Sequence, residues 1–273
     1  MRLLKQLGTV AGVALAGNLA VGAAGGGWVA SLVLGIATGL LALLAYRWVV
    51  RRTERRRPVE VELAGARAGL GAGLLVGTAM FVGVIGAIAL LGGYRVEGWG
   101  SLTGAAGLLG VAVASGVTEE LLFRGVLFRV IEERAGTWVS LGFTAALFGA
   151  MHLVNPHASL WGAIAIAVEA GVMLAAAYAA TRSLWLPIGL HIGWNFAQSG
   201  IFGTEVSGAD TAMGLLHGVT SGPVALSGGA FGPEASVVAV LAGAAAAAVF
   251  LRLAHQRGRI VARRSRALAT ATV

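Results

Sequence analysis

Apolar runs about as long as a bilayer is thick alternate with short segments crowded with arginine, and this alternation limits what the chain can fold into. A helix needs about 20 apolar residues to cross the hydrocarbon layer, and a backbone in lipid must satisfy its own hydrogen bonds. Candidate spans lie near 7–25, 28–49, 68–92, 104–133, 137–153, 159–180, 184–200 and 235–252. The expected fold is all-α: a polytopic transmembrane helical bundle of about eight helices. The mean hydropathy of +0.83 agrees. Only 12% of residues are charged, about half the average of soluble domains. The 43 glycines suit helices whose backbones approach closely. Gly35 and Gly39, in "GIATG", show the small-residue spacing once.

A net charge of +8 would suggest nucleic acid in a soluble chain, but these arginines sit between apolar runs and therefore carry orientation. Arg51, Arg52, Arg55, Arg56, Arg57 and Arg67 separate the second and third spans, and six more arginines follow the eighth. An even number of crossings separates the two clusters if both are cytoplasmic. Arg2, Lys5, Arg134 and Arg182 then also fall inside, leaving Arg95 outside, and both termini are cytoplasmic. Three parts are expected: an N-terminal hairpin with a basic cytoplasmic loop over 1–67, a core bundle over 68–254, and a basic cytoplasmic tail over 255–273. The first 26 residues imitate a leader peptide. The next apolar run follows almost at once, which favours a retained hairpin. The longest outer connection, 201–234, is rich in glycine without clear period and reads as a loop, partly re-entrant. With no cysteine, thiolate metal ligands, a thiol nucleophile and disulfides are excluded.

Charged residues at membrane depth are costly and mark function. They are Glu119, Glu120, Arg124 and Glu169, with Arg129 borderline, joined by the polar His152, His191 and Asn195. Positions four apart share a helix face, so Glu120 and Arg124 in "EELLFR" form an ion pair, while Glu119 faces elsewhere beside Phe123. On that reading, exchanging Glu120 and Arg124 retains folding far better than neutralising either one alone. By the same rule Phe148 shares a face with His152, and His191 with Asn195. His152 lies about 15 residues, roughly 22 Å, along its helix. Glu119 reaches that depth only if the fourth helix runs on to Glu133, which buries Arg124. A carboxylate near imidazoles and an amide can supply a base for water and donors for a developing oxyanion. Glu169 is read as structural, and His157, His217 and His255 as solvated or interfacial. Two histidines and a glutamate are also a possible zinc set, although no HExxH occurs and three helices would have to contribute.

The motifs "EELLFR" (Glu119, Glu120, Arg124), "FGAMH" (Phe148, His152) and "HIGWN" (His191, Asn195) resemble, in order, the EExxxR, FxxxH and HxxxN/D motifs of the CPBP or Abi family, the CAAX-processing and bacteriocin-processing intramembrane endopeptidases. The resemblance covers about residues 100 to 250. It implies an active site within the membrane and a metal-independent hydrolase without cofactor: Glu119 and His152 activate water, His191 and Asn195 form the oxyanion hole, and Glu120, Arg124 and Phe148 support them. It also implies a membrane-associated peptide or protein substrate, prenylated in eukaryotic members, the lipid bilayer as partner, and no nucleic acid. The expected location is the cell membrane, multi-pass; the Ala, Gly and Arg bias suggests a bacterial source. The alternatives are a zinc-dependent version, a transporter or proton relay using the same buried groups, and a non-catalytic scaffold.

Overall fold

A computed structural model describes residues 1–23, 27–209 and 213–263. The helices are α1 (Arg2–Ala23), α2 (Trp28–Glu54), α3 (Ala66–Leu90), α4 (Leu102–Glu120), α5 (Arg129–Met151), α6 (Leu160–Ile166), α7 (Met173–Thr181), α8 (Trp185–Asn195), the single-turn α9 (Val224–Ser227) and α10 (Val237–Gln256). Among the described residues, six helical stretches are long and apolar enough to cross a membrane. One of them, Leu102–Val154, has 53 residues, because α4 continues into α5 through a π-helical segment, Leu121–Phe128. Gly136, at φ 81°, breaks that stretch into two limbs. Two more π-helical segments, Ala167–Val172 and Phe196–Ile201, link α6 to α7 and extend α8. Eight helical limbs result among the described residues, as the apolar runs predict. Residues 24–26, where the leader-peptide question falls, and the tail beyond 263 lie outside the described residues.

Small residues decide which helices meet. Gly73 and Gly77 on α3 face Gly189 and Gly193 on α8: a methyl group at Gly77 would run into the Leu190 carbonyl, and one at Gly193 into that of Leu74. Gly189 and Gly193 flank His191, so one face of α8 lies flat against α3 while His191 belongs to the face turned inward. Gly35 packs in the same way against the backbone of Gly110, joining α2 to α4. Without hydrophobic attraction between helices in lipid, such close approach supplies the dispersion that holds them together.

The connection 201–234 is more ordered than its composition suggests. Its strand β2 (Leu216–Thr220) pairs antiparallel with β1 (Tyr94–Trp99), Tyr94 opposite Thr220, with an irregular register at Glu97. The sequence reading made both segments loop. Period-two alternation is weak here, because the ribbon lies over the bundle and keeps little of its surface buried.

At the arginine-rich end, several basic side chains have protein partners rather than acting only as orientation signals or lipid contacts. Arg129 reaches back from α5 to Glu54 at 2.8 and 2.9 Å and to Gln6 at 3.1 Å. Arg56 holds Glu60 through two bonds of 2.8 Å. The Tyr46 hydroxyl lies 2.5 Å from Glu60 Oε1 and 2.9 Å from the Gly125 carbonyl, inside the first π-helical segment. Arg257 and Arg259 donate to the Ala180 carbonyl at the end of α7. The N-terminal hairpin and the described part of the tail thus brace the core.

Two outcomes follow from this packing. Gly77→Leu should lower stability by roughly 1–3 kcal/mol or more through overpacking, whereas Gly71→Leu, with open space around it, should be tolerated; thermal unfolding in detergent compares them. Burial alone raises the Glu60 carboxyl, but hydrogen bonds from Arg56 and Tyr46 outweigh it and hold the group below its ordinary 4.5. A depressed folded value stabilises fully above the unfolded value and is lost as pH falls through the folded one. The unfolding temperature should therefore be insensitive to Glu60 above about pH 5 and fall below about pH 4.5. Glu60→Gln should make that acid limb shallower.

A candidate active site within the bundle

Glu119 and Glu120 are the last two residues of regular α4, and the wider π-helical turn after them carries Arg124. Such wide turns occur often at functional sites because they re-aim side chains without ending the helix. Glu120 and Arg124 are both buried and lie 2.6 Å apart. The other arm of Arg124 donates to the carbonyls of Ala170 and Gly171, at 3.2 and 2.9 Å, in the second π-helical segment. Its guanidinium carbon stands 4.9 Å from the Phe148 ring centroid.

Glu120 is not committed to Arg124 alone. Its Oε1 also lies 3.0 Å from His191 Nδ1, a contact between residues on different helices that helix periodicity cannot reveal. The exchanged pair expected from sequence to fold well would lose this contact and place an arginine beside His191.

Glu119 turns the other way, as its 100° offset from Glu120 requires. Its side chain is 29% exposed, and its Oε2 lies 3.9 Å from His191 Nε2. His191 therefore stands between the two adjacent glutamates, one on each ring nitrogen. His152 Nδ1 lies 2.7 Å from the Phe148 carbonyl; with the proton on Nδ1, Nε2 is left as a base. The Phe148 and His152 ring centroids lie 4.8 Å apart, with the planes tilted by 49°. Ser199 donates to the Asn195 carbonyl at 2.9 Å and steadies the start of the third π-helical segment.

Glu119, His152, His191 and Asn195, with Phe148, line one cavity of about 400 Å³. Glu120 and Arg124 sit behind its wall. Among the described residues no ion pair within 4 Å joins Glu119 to His152; the two face the same space. No three His, Asp or Glu side chains among the described residues form a metal-ligand set. Such a cavity offers a peptide group a carboxylate, two imidazoles and an amide.

Two residues given no part in the site also line it: Glu169, read as structural, and Glu234, from the supposed loop. Glu169 is marked in the sequence by its mid-span position, although its structural reading gives it no place in the cavity. Glu234 follows the glycine-rich "GGAFGP", where Gly228, Gly229 and Gly232 have positive φ, in the connection expected to be partly re-entrant, but no residue spacing singles it out.

The family model described as Rce1-like, type II CAAX prenyl endopeptidase, matches residues 99–197. That segment includes every residue of the three motifs. No curated protein and no solved structure matches the chain.

Removing one partner of the buried pair should leave an uncompensated charge. Glu120→Gln and Arg124→Met are each expected to cost about 3–5 kcal/mol, and the exchanged double variant should be no better than either. Unfolding in detergent, compared across the three proteins, checks this.

Proposed function

With an Rce1-like core in residues 99–197, we propose that the protein is an intramembrane endopeptidase that hydrolyses peptide bonds of membrane-associated peptides or proteins. The observation carrying this reading is the shared cavity, with Glu119 partly exposed on its wall and His191 Nε2 3.9 Å away. Glu119, with the Nε2 base of His152, takes a proton from water as the water attacks the scissile carbonyl. Negative charge then develops on the carbonyl oxygen, where Asn195 Nδ2 and a protonated His191 Nε2 donate. Glu120 beneath Nδ1 supports the doubly protonated ring, and Arg124 balances Glu120. Proton return to the leaving amine from Glu119 or His152 completes the hydrolysis.

The bilayer is the partner surface, and the protein sits in the cell membrane as a multi-pass chain with both termini cytoplasmic. In this arrangement 68–254 is the protease core, with 1–67 and 255–273 flanking it. The chemistry described needs no cofactor.

Cleavage of lipid-anchored peptides by purified protein in detergent, followed by mass spectrometry, tests the assignment. Glu119→Gln should lower the rate by about 10²–10⁴, the range of a general base, and Asn195→Ala by about 10²–10³. Full activity in Glu119→Gln would reject the base. Activity lost to a chelator and restored by zinc would favour the metal-dependent form instead.

A further inference from the structure

Six buried side-chain atoms lack a hydrogen-bond partner among the described residues, and their types are unequal: five are carboxylate oxygens, on Glu119, Glu120, Glu169, Glu205 and Glu234, and one is a donor, Arg124 Nε. Three of the five acids, Glu119, Glu169 and Glu234, line the cavity. Each of these three acids therefore keeps one buried acceptor atom without a donor. Glu119 already has a proposed chemical task. Glu169 and Glu234 have none, although they are 1% and 2% exposed and each presents an orphaned Oε1.

Separate elements bring these two acids together. Glu169 belongs to the π-helical segment Ala167–Val172. Glu234 follows Gly232, whose φ of 115° turns the chain inward. The two carboxyls are close enough for their charges to interact, and Glu234 also faces His152. Arg124 bonds to the backbone of Ala170 and Gly171 and to Glu120, not to the Glu169 carboxyl. Leu108, Val111, Ile166, Met173 and Leu174 line the same space. Ser207 and Gln198 donate to the Glu234 carboxyl, yet its Oε1, like that of Glu169, stays unpaired; two orphaned acceptor atoms beside an apolar passage fit a ligand with several donors and no acceptor on an aliphatic stem. Lysine and arginine side chains have that form.

We propose that Glu169 and Glu234 form a cation subsite that receives a lysine or arginine side chain of the substrate. This rests on the endopeptidase reading and adds a substrate class to it. The cation supplies the donor that Oε1 of each carboxyl lacks, and the acids hold the peptide at a fixed distance from Glu119. Neither acid is assigned a part in bond breaking.

The test is a binding scan that needs no cleavage. Lipid-anchored fluorescent peptides, identical except for one lysine or its neutral isostere norleucine at successive positions, are titrated with wild-type protein and with Glu119→Gln, read by anisotropy. At one register the lysine peptide should bind at least about tenfold more tightly. Glu169→Gln and Glu234→Gln should remove that difference while leaving norleucine-peptide binding in place. Equal affinity at every position overturns the inference without any variant having to fold, as does discrimination that survives in both variants. Hexylamine separates the two sources of such a cation: if it binds wild-type protein as tightly as the lysine peptide and through the same carboxylates, the site takes free amines and the substrate assignment falls. Cleavage of the same peptides by wild-type protein is scored separately by mass spectrometry. Binding preference without cleavage counts against the protease, and cleavage without preference counts against the subsite.

Discussion

One carboxylate oxygen, Glu120 Oε1, accepts from both Arg124 and His191, and the arrangement of the site depends on it. Charges removed from water are expensive, and their mutual attraction compensates only when the remaining donors and acceptors are also satisfied. Here Arg124 carries the connection on to the carbonyls of Ala170 and Gly171, so a single buried anion ties α4, α8 and the segment joining α6 to α7. His191 is fixed by this chain with its second nitrogen toward Glu119. The adjacent glutamates thus act at different places: Glu120 within the wall, Glu119 on the cavity.

Two backbone features make room for this arrangement. Glycines on α3, α8, α2 and α4 let helices approach until carbonyls stand where side chains would be, which fixes the depth of α8 and of His191. Three π-helical segments adjoin Glu120, hold Glu169 and follow Asn195. The cost of a wide turn is poorer local hydrogen bonding; what it gains is a set of polar groups turned to one side of otherwise apolar helices. Close packing on one face and wide turns on the other are complementary.

Much of this was legible from residue order alone. Apolar length located the helical limbs to within a few residues, and the depth comparison required a helix continuing past Arg124, which α4, the π-helical segment and α5 supply. Helix periodicity separated Glu119 from Glu120. It could not reach the Glu120–His191 contact, because residues 71 apart in sequence meet only through tertiary packing. The β1–β2 ribbon escaped notice because its strands are short and largely unburied. Glu234 escaped because positive-φ glycines, not any repeating pattern, turn its loop into the bundle. Arginines counted as orientation signals proved to have partners on distant helices, which charge counting alone cannot show.

The central claim is that a carboxylate in the bundle activates water against a peptide bond. Cleavage in water enriched in oxygen-18 tests it most directly. The account predicts one heavy oxygen in each newly formed C-terminal carboxylate made by wild-type protein, and no such product above background from Glu119→Gln. Product carrying no heavy oxygen, or labelled product formed at an undiminished rate by Glu119→Gln, would contradict it.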